Sequence, residues 1–464
     1  MTHPDRAACI VGVSIVPDFE RFLNSHVARL TRIMGVRGPL SMRKSRKVLR
    51  RAGLDPAAIS AMERHFAIEQ AIAETPLVAG NKTRLLRDGE ETFRAMFAAI
   101  TAAKDHVHLE YYILEDIESD GMRLSDLLVS KARAGVAVHV IYDSFGSSNT
   151  PDAFFEKLAA GGVKLLSFNP VNPLKAKHGY KPNDRDHRKI LIADGRIGIV
   201  GGINLSTTYI STGGRGVGKS GQGGGAGGRV TAEAADSWRD TDLEITGPAV
   251  RQLQTLFLKQ WAAQHGPPLR HATFHPEMEE AGTEVVRIIG STPDHHMPRY
   301  YVTFLSAIRN ADKHIYVMAA YFVPPRALRR GLRQAARRGV DVRLLLPGKS
   351  DASIAVAAQR SYYSSFLRAG VKIYEVRDYI QHTKAVTIDG VWTAIGSSNL
   401  DHRSVLFNDE VDAVVLGTET ADAMEKLFLE DSASAREITR AEWQKRPWKQ
   451  RLYEFFARFG EKLL

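Results

Sequence analysis

Two short motifs of identical spacing hold the residue types from which a phosphoryl-transfer site can be built. In the first motif, His187 and Lys189 lie two positions apart, and Asn204 follows the histidine by 17 positions. The second motif repeats this spacing with the residues His382, Lys384 and Asn399. A single motif of this kind has little specificity, whereas two at equivalent points of one chain favour a shared site.

These residue types suit chemistry at a phosphate group. Side chains at positions i and i+2 of a strand project from the same face, so each histidine and its lysine point together. Histidine supplies a nucleophile or a proton donor near neutral pH. Lysine and asparagine supply N–H donors to an oxyanion, and we predict Asn204, Asn399 and Ser397 as phosphate ligands. The predicted site needs neither a metal nor a cofactor.

Each motif continues to an aspartate, Asp194 or Asp389, which we interpret as structural. A glycine follows each aspartate between two alternating apolar runs, a pattern typical of a two-residue hairpin turn. The count of seven positions from histidine to aspartate is odd, which disfavours a shared strand face.

The two motifs lie within a long internal repeat. One copy begins with HVHLEYYIL and the other with HIYVMAAYFVP. In both, short β-branched runs alternate with helical patterns that end in glycine followed by valine. This alternation predicts two copies of one α/β domain, each with a largely buried sheet.

The paired motifs resemble those of the phospholipase D superfamily, over about residues 80 to 430. The resemblance implies two tandem α/β sandwich domains related by a pseudo-two-fold axis, with a single active site at their interface. It also implies a phosphohistidine intermediate, with His187 as the nucleophile and His382 as the general acid and base. In-line displacement independently favours one histidine on each side of phosphorus. The near-symmetry of the motifs leaves an exchange of these two roles open.

In this superfamily a carboxylate orients each catalytic histidine, and the resemblance implies Glu410 and Asp240 for this role. Glu410 lies seven residues before Gly417, and Asp240 lies seven residues before Gly247. Such a carboxylate fixes the imidazole tautomer and stabilises the imidazolium ion. The alternative for Asp240 is a surface acid at the edge of a strand.

Further segments are similar to those of bacterial cardiolipin synthases, among them HLEYYIL, WRDTDLEITGPAV and GSSNLDHRSVLFNDE. The resemblance implies a phosphatidyltransferase that converts two phosphatidylglycerols to cardiolipin and glycerol. A phospholipase D-type hydrolase and a phosphatidylserine synthase are the alternatives, and a nuclease on the same scaffold is less favoured. Many family members carry two N-terminal transmembrane helices. No apolar run here reaches the ~18–20 residues that span a bilayer, so the chain resembles the shorter, peripherally attached form.

Charge and hydrophobic patterning indicate the partner. The net charge of +11 suits nucleic acid or an anionic membrane. Basic residues crowd between Arg43 and Arg51, and Leu452, Phe455 and Phe456 share one face of a C-terminal helical pattern. A solvated helix face and a docked terminal helix are the alternatives. We expect the membrane surface as the partner, with phosphatidylglycerol and cardiolipin, at the cytoplasmic side of a bacterial inner membrane, and no nucleic acid.

The repeat also divides the chain into regions. We expect a basic, helical N-terminal region, a first domain, a linker, a second domain and an amphipathic basic tail, with the respective limits 1–79, 80–265, 266–283, 284–430 and 431–464.

The glycine-rich segment 211–228 contains Gly213-x-x-x-x-Gly218-Lys219-Ser220, which matches the nucleotide-binding pattern GxxxxGK[ST]. A nucleotide-binding loop of this type leads directly into a helix, whereas the GQGGGAGG that follows here cannot form a stable one. We therefore expect no nucleotide. The first copy is 25 residues longer than the second between its asparagine and its acid. The segment is thus predicted to be a flexible insertion beside the pocket.

Overall fold

The computed structural model describes residues 33–60, 65–66, 75–170, 183–210, 237–269, 273–293, 299–350 and 352–457. The glycine-rich segment 211–228 lies outside the described residues, as does the region 1–32. None of the helices in the described part has the length and apolarity needed to span a bilayer.

The strands are, in chain order, β1 Met34–Gly35, β2 Gly38–Pro39, β3 Val78–Arg87, β4 His106–Tyr111, β5 Glu118–Ser119, β6 Met122–Arg123, β7 Ala137–Asp143, β8 Lys164–Phe168, β9 Arg185–Asp186, β10 Lys189–Ala193, β11 Ile197–Gly201, β12 Trp238–Arg239, β13 Thr241–Thr246, β14 Glu284–Ser291, β15 His314–Met318, β16 Asp341–Pro347, β17 Lys372–Val376, β18 Ile380–Gln381, β19 Ala385–Ile388, β20 Trp392–Gly396, β21 Asn408–Leu416 and β22 Arg436–Glu437.

The α-helices are α1 Met42–Arg51, α2 Asp88–Ala102, α3 Leu124–Arg133, α4 Asp152–Ala160, α5 Val250–Ala263, α6 Arg299–Asn310, α7 Arg326–Arg337, α8 Ser353–Ser361, α9 Tyr363–Leu367, α10 His402–Leu406, α11 Thr418–Ser434, α12 Arg440–Gln444 and α13 Trp448–Ala457. A 3₁₀ turn follows β11 at Thr207–Tyr209.

Two sheets have the same strand order and the same strand directions. The first runs β3-β13-β11-β10-β4-β7-β8, and the second runs β14-β21-β20-β19-β15-β16-β17. In each sheet the first four pairings are antiparallel and the last two are parallel. This equivalence confirms the prediction of two tandem copies of one α/β fold.

Helices cover the sheets, so the central strands are buried on both faces. All residues of β19, β20 and β21 are buried; β19 and β20 are mostly apolar, whereas β21 also buries Asp409, Glu410 and Asp412. One core lies between the two halves and includes Phe257 of α5 and Phe428 of α11. Each half has a further core of its own, so the site described below rests on close-packed layers.

The strand β3 belongs to both halves. Its C-terminal part pairs with β13, from Lys82 to Arg87. Its N-terminal part pairs with β14, where Asn81 lies opposite Glu284. The two sheets are therefore joined through hydrogen bonds of the main chain.

The described N-terminal residues pack on the second half rather than forming a body of their own. Leu49 of α1 and Leu54 are buried in the core that holds α6 and α7. The N–H of Thr418, at the start of α11, donates to the carbonyl of Ala52 at 3.0 Å. The domain limits 80–265 and 284–430 stay a prediction.

Two short strand pairings join the halves in a reciprocal way. β9, which leads into His187, pairs with the start of β21. β18, which leads into His382, pairs with β12. The N–H of His187 donates to Asp409 O at 2.9 Å, and the N–H of His382 donates to Arg239 O at 2.8 Å. Each histidine is thus fixed next to a strand of the opposite half.

The two Asp-Gly pairs lie in hairpins whose loops have three residues rather than the two predicted, because Ala193 pairs with Ile197 and Ile388 with Trp392. Asp194 and Asp389 both adopt positive φ, at 53° and 56°. The Asp194 carboxylate accepts from the backbone N–H groups of residues 104, 105 and 106, between 2.8 and 3.0 Å. Asp389 does the same for residues 312, 313 and 314, between 2.7 and 2.9 Å.

These contacts predict a stability role for both aspartates. Asp194→Ala and Asp389→Ala should each lower the free energy of unfolding by about 2–3 kcal/mol, because three N–H groups lose a charged acceptor. Asp→Asn at the same positions keeps one acceptor oxygen and tolerates positive φ, so the loss should be about half as large. Urea denaturation measures both, and equal stability of the Ala and Asn variants would contradict the prediction.

Candidate active site

His187 lies against a carboxylate from the other half of the molecule. Its Nδ1 is 3.0 Å from Oε2 of Glu410. The hydroxyl of Ser397 donates to the same oxygen at 2.5 Å, and Nδ2 of Asn408 donates to Oε1 at 3.2 Å. Burial alone would raise the pKa of Glu410, but the neighbouring His187 and these hydrogen bonds lower it below its usual value. Glu410 is therefore an ionised, fixed partner for the imidazole.

His382 has the reciprocal arrangement. Its Nδ1 is 2.6 Å from Oδ2 of Asp240, which is fully buried. The hydroxyl of Tyr209 lies 3.2 Å from the same nitrogen. Nζ of Lys384 lies 2.7 Å from Nδ1 and 3.4 Å from the Asp240 carboxylate. The first half thus supplies the acid for the histidine of the second half, and the second half supplies the acid for the first.

The two lysines occupy equivalent positions. Nζ of Lys189 donates to the carbonyl of His187 at 2.6 Å, and Nζ of Lys384 donates to that of His382 at 2.5 Å. Burial lowers the pKa of both amines, that of Lys189 to about 7. Each lysine also lowers the pKa of the histidine in the opposite half. Since charges interact strongly only over short distances, both motifs belong to one site.

Both imidazoles are biased toward the neutral form. Burial is the main cause of the lowered pKa of His187. For His382, burial and the adjacent Lys384 lower the pKa to about 4. Neutral imidazole is the form that can act as a nucleophile. Nδ1 of each ring faces a carboxylate, which directs Nε2 to chemistry, and Nε2 of His382 also lies 3.2 Å from Nζ of Lys384.

Two of the three predicted phosphate ligands, Asn204 and Ser397, make side-chain contacts with residues of the site. Asn204 accepts from the N–H of Ile113 at 3.2 Å and donates to the Tyr209 hydroxyl at 3.1 Å. Ser397 donates to Glu410 and accepts from the N–H of Val411 at 3.0 Å. Asn399 is almost fully buried nearby, at 8% exposure. Their role as phosphate ligands stays a prediction, and the contacts of Asn204 and Ser397 show in addition how they position other groups.

The repeat did not reveal Tyr209 or Arg188. Tyr209 lies five residues after Asn204, but the corresponding position of the second half is Ser404. Arg188 is buried between the two motif residues, and its Nε donates to the carbonyl of Glu410 at 3.3 Å. Its other nitrogens reach Glu110 at 3.2 Å and the carbonyl of Ser291 at 3.3 Å. A charged residue directly before a buried apolar strand was the signal available for Arg188.

One position distinguishes the two carboxylates. Ser397 of the second half corresponds to Gly202 of the first, each directly after the glycine that ends a strand. A Cβ at Gly202 would lie 2.4 Å from both carboxylate oxygens of Asp240. Asp240 therefore requires a glycine at position 202, whereas Glu410 accepts a hydrogen bond from the hydroxyl of Ser397 at the equivalent position.

The pairings predict how the two imidazoles titrate. In ¹⁵N-histidine NMR, His382 should titrate at about pH 4, well below its ordinary 6.5. Asp240→Asn should lower the His382 pKa further, since the Asp240 charge raises it, and should change His187 little. Glu410→Gln should act on His187 in the same direction and spare His382.

The lowered pKa of His382 also makes the free energy of unfolding depend on pH. Between pH 6.5 and about 4 the unfolded chain binds a proton at His382 that the folded site rejects. The contribution of His382 to stability is therefore lost as the pH falls through this window. A His382 resonance that titrates near 6.5, or an Asp240→Asn effect confined to His187, would contradict the pairing.

Comparison with known proteins is consistent with this geometry. A family model described as "Cardiolipin synthase, PLD-like domain" matches residues 96–212 and 304–432, which together are more than half of the chain. A cardiolipin synthase of Geobacillus kaustophilus (strain HTA426) is 37% identical over 85% of this chain and 74% of its own length. A cardiolipin synthase of Alkalihalophilus pseudofirmus is 34% identical over 86% of this chain and 75% of its own length.

The fold itself has a solved counterpart. The crystal structure of a phosphatidylserine synthase from Haemophilus influenzae Rd KW20 covers 85% of this chain and is itself covered to 99%, with a TM-score of 0.62 at 13% identity. At this identity the likeness bears on the fold. The matches in sequence extend over both halves and both motifs, and so this chain belongs to the cardiolipin synthase family of phospholipase D-like proteins.

Proposed function

We propose that this protein is a phosphatidyltransferase of the cardiolipin synthase type, which converts two phosphatidylglycerols to cardiolipin and glycerol. The observation that carries the proposal is the reciprocal pair, His187 with Glu410 and His382 with Asp240, in one buried site. Two imidazoles, each oriented through Nδ1, are what displacement at phosphorus on opposite sides requires.

In the first step, Nε2 of His187 attacks the phosphorus of one phosphatidylglycerol. The P–O bond to the head-group glycerol breaks, and His382 donates a proton to the leaving oxygen. A phosphodiester anion in the site would oppose the charges of Lys189 and Lys384, which lower the pKa of His382. Its arrival would therefore raise that pKa, as a proton donor needs.

In the second step, neutral His382 takes the proton from a hydroxyl of the second phosphatidylglycerol. That oxygen attacks phosphorus, the P–N bond to His187 breaks, and cardiolipin forms. Glu410 stabilises the cationic character that His187 gains during attack. Water in place of the lipid hydroxyl would give phosphatidic acid, the product of the hydrolase alternative, and serine would give phosphatidylserine.

We further propose peripheral attachment to anionic phospholipid at the cytoplasmic face of a bacterial inner membrane. Support comes from the net charge of +11 and from α1. All six basic side chains of that helix are exposed, namely Arg43, Lys44, Arg46, Lys47, Arg50 and Arg51. Each basic residue near an anionic surface contributes about 1 kcal/mol to binding.

The assay that tests the function uses the purified full chain with labelled phosphatidylglycerol in detergent micelles. We expect cardiolipin and glycerol in equal amounts. His187→Ala and His382→Ala should each lower turnover by about a thousandfold or more, because the displacement loses its nucleophile or its proton donor.

Four outcomes would contradict parts of the proposal. Phosphatidic acid as the main product would support the hydrolase, and phosphatidylserine made only with added serine would support that synthase. Cleavage of DNA without lipid turnover would reject both lipid reactions. Covalently bound label that persists in His187→Ala and is absent from His382→Ala would exchange the two histidine roles.

Gly202→Ala tests whether the position of Asp240 requires a glycine beside its carboxylate. The new Cβ would lie 2.4 Å from both carboxylate oxygens, so the acid must move away from His382. A displacement of this kind should lower kcat by about a hundredfold with little effect on KM. Gly331→Ala on α7 is the matched control, since its Cβ would meet only the ends of the Leu305 and Ile308 side chains. Equal turnover of the two variants would contradict the requirement for glycine.

A further inference from the structure

A helix docked on a soluble protein buries its large apolar side chains, whereas the C-terminal helix α13 exposes them. The large apolar side chains point outward, with exposed fractions of 68% for Trp448, 47% for Leu452 and 60% for Phe456. These three residues follow one another at intervals of four and form a stripe along the helix. Tyr453 and Phe455 flank the stripe and are also more than half exposed.

The buried face of α13 contains a carboxylate. Glu454 is 2% exposed, in a helix that packs against α8. Its Oε2 accepts from Nε of Arg446 at 3.0 Å, and its Oε1 accepts from Nε2 of Gln450 at 2.9 Å. The charge is thus satisfied within the C-terminal segment, and the buried Glu454 marks the face of α13 that packs on the protein, opposite the apolar stripe.

Basic side chains accompany the apolar stripe. Lys445, Lys449 and Arg451 are all exposed on or beside α13. Aromatic and aliphatic residues next to lysine and arginine are typical of helices that lie in the interface of an anionic membrane. A soluble partner of high affinity would be expected to meet fewer lysines in the centre of its contact.

We propose that α13 lies flat in the surface of an anionic phospholipid bilayer, with Trp448, Leu452 and Phe456 immersed below the head groups. The helix packs on α8 through a face that includes the buried Glu454 and Ala457, and it thereby holds the protein at the membrane. The inference rests on the proposed function in one respect only, namely that the substrate resides in a bilayer.

The test compares the full-length protein with Leu452→Glu/Phe456→Glu. Binding is measured by sedimentation with sucrose-loaded vesicles of phosphatidylglycerol and phosphatidylethanolamine. The double variant should bind vesicles about tenfold more weakly or worse, because two immersed side chains become charged. Its melting temperature should not change, since both side chains are exposed. The matched control is Leu429→Glu on α11, an exposed leucine at 45%, which should bind like the parent.

Activity gives a second readout that separates this inference from the proposed function. In detergent micelles the double variant should keep the turnover of the parent, whereas on vesicles its turnover should fall with its binding. If the parent makes no cardiolipin in either assay, the proposed function fails, and the sedimentation comparison still decides the role of α13.

Two results would overturn the inference. One is vesicle binding by Leu452→Glu/Phe456→Glu equal to that of the parent. The other is a parent protein that is dimeric without lipid and becomes monomeric with the double substitution, in analytical ultracentrifugation. That result would assign the apolar face to a second copy of the chain.

Discussion

The structure depends on one exchange, in which each half of the molecule supplies the carboxylate for the histidine of the other. An isolated buried carboxylate is costly, and a buried imidazole without an acceptor loses its orientation. Asp240 and Glu410 meet these requirements only when the halves are joined in register. The short pairings β9–β21 and β12–β18 supply that register at the residues adjoining each pair. The contacts that hold the two halves together therefore also position the proposed catalytic groups.

The burial that joins the halves also sets the electrostatics of the site. Two lysines and two histidines lie close together, and burial lowers the pKa of each. Glu410 and Asp240 partly oppose these shifts at the histidines. A phosphodiester would add a further negative charge and raise the pKa values of these groups, so substrate binding would favour the protonation that the proposed reaction needs.

The spacing of residues along the chain identified the histidines, lysines and asparagines of the site. It could not show which residue of one half contacts which residue of the other. The resemblance to the phospholipase D superfamily supplied Glu410, and the equal distance to a closing glycine supplied Asp240 as its counterpart. Nothing local links Asp240 to His382, which lies 142 residues away. Tyr209 was missed because its counterpart is Ser404, and Arg188 because its partners come from three separate strands. The packing of Leu49 on the second half is likewise a tertiary contact without a local signal.

The presence of both halves in one chain has a consequence for how alike the two histidines can be. Two identical subunits around a two-fold axis would have to place the same acid and the same neighbours beside both imidazoles. In a single chain, no symmetry requires the two imidazoles to have the same neighbours. Here Asp240 with Gly202 and Tyr209 faces one ring, while Glu410 with Ser397 faces the other. A single chain thus allows a symmetric scaffold to hold an asymmetric pair, which suits the proposed division between a nucleophile and a proton carrier.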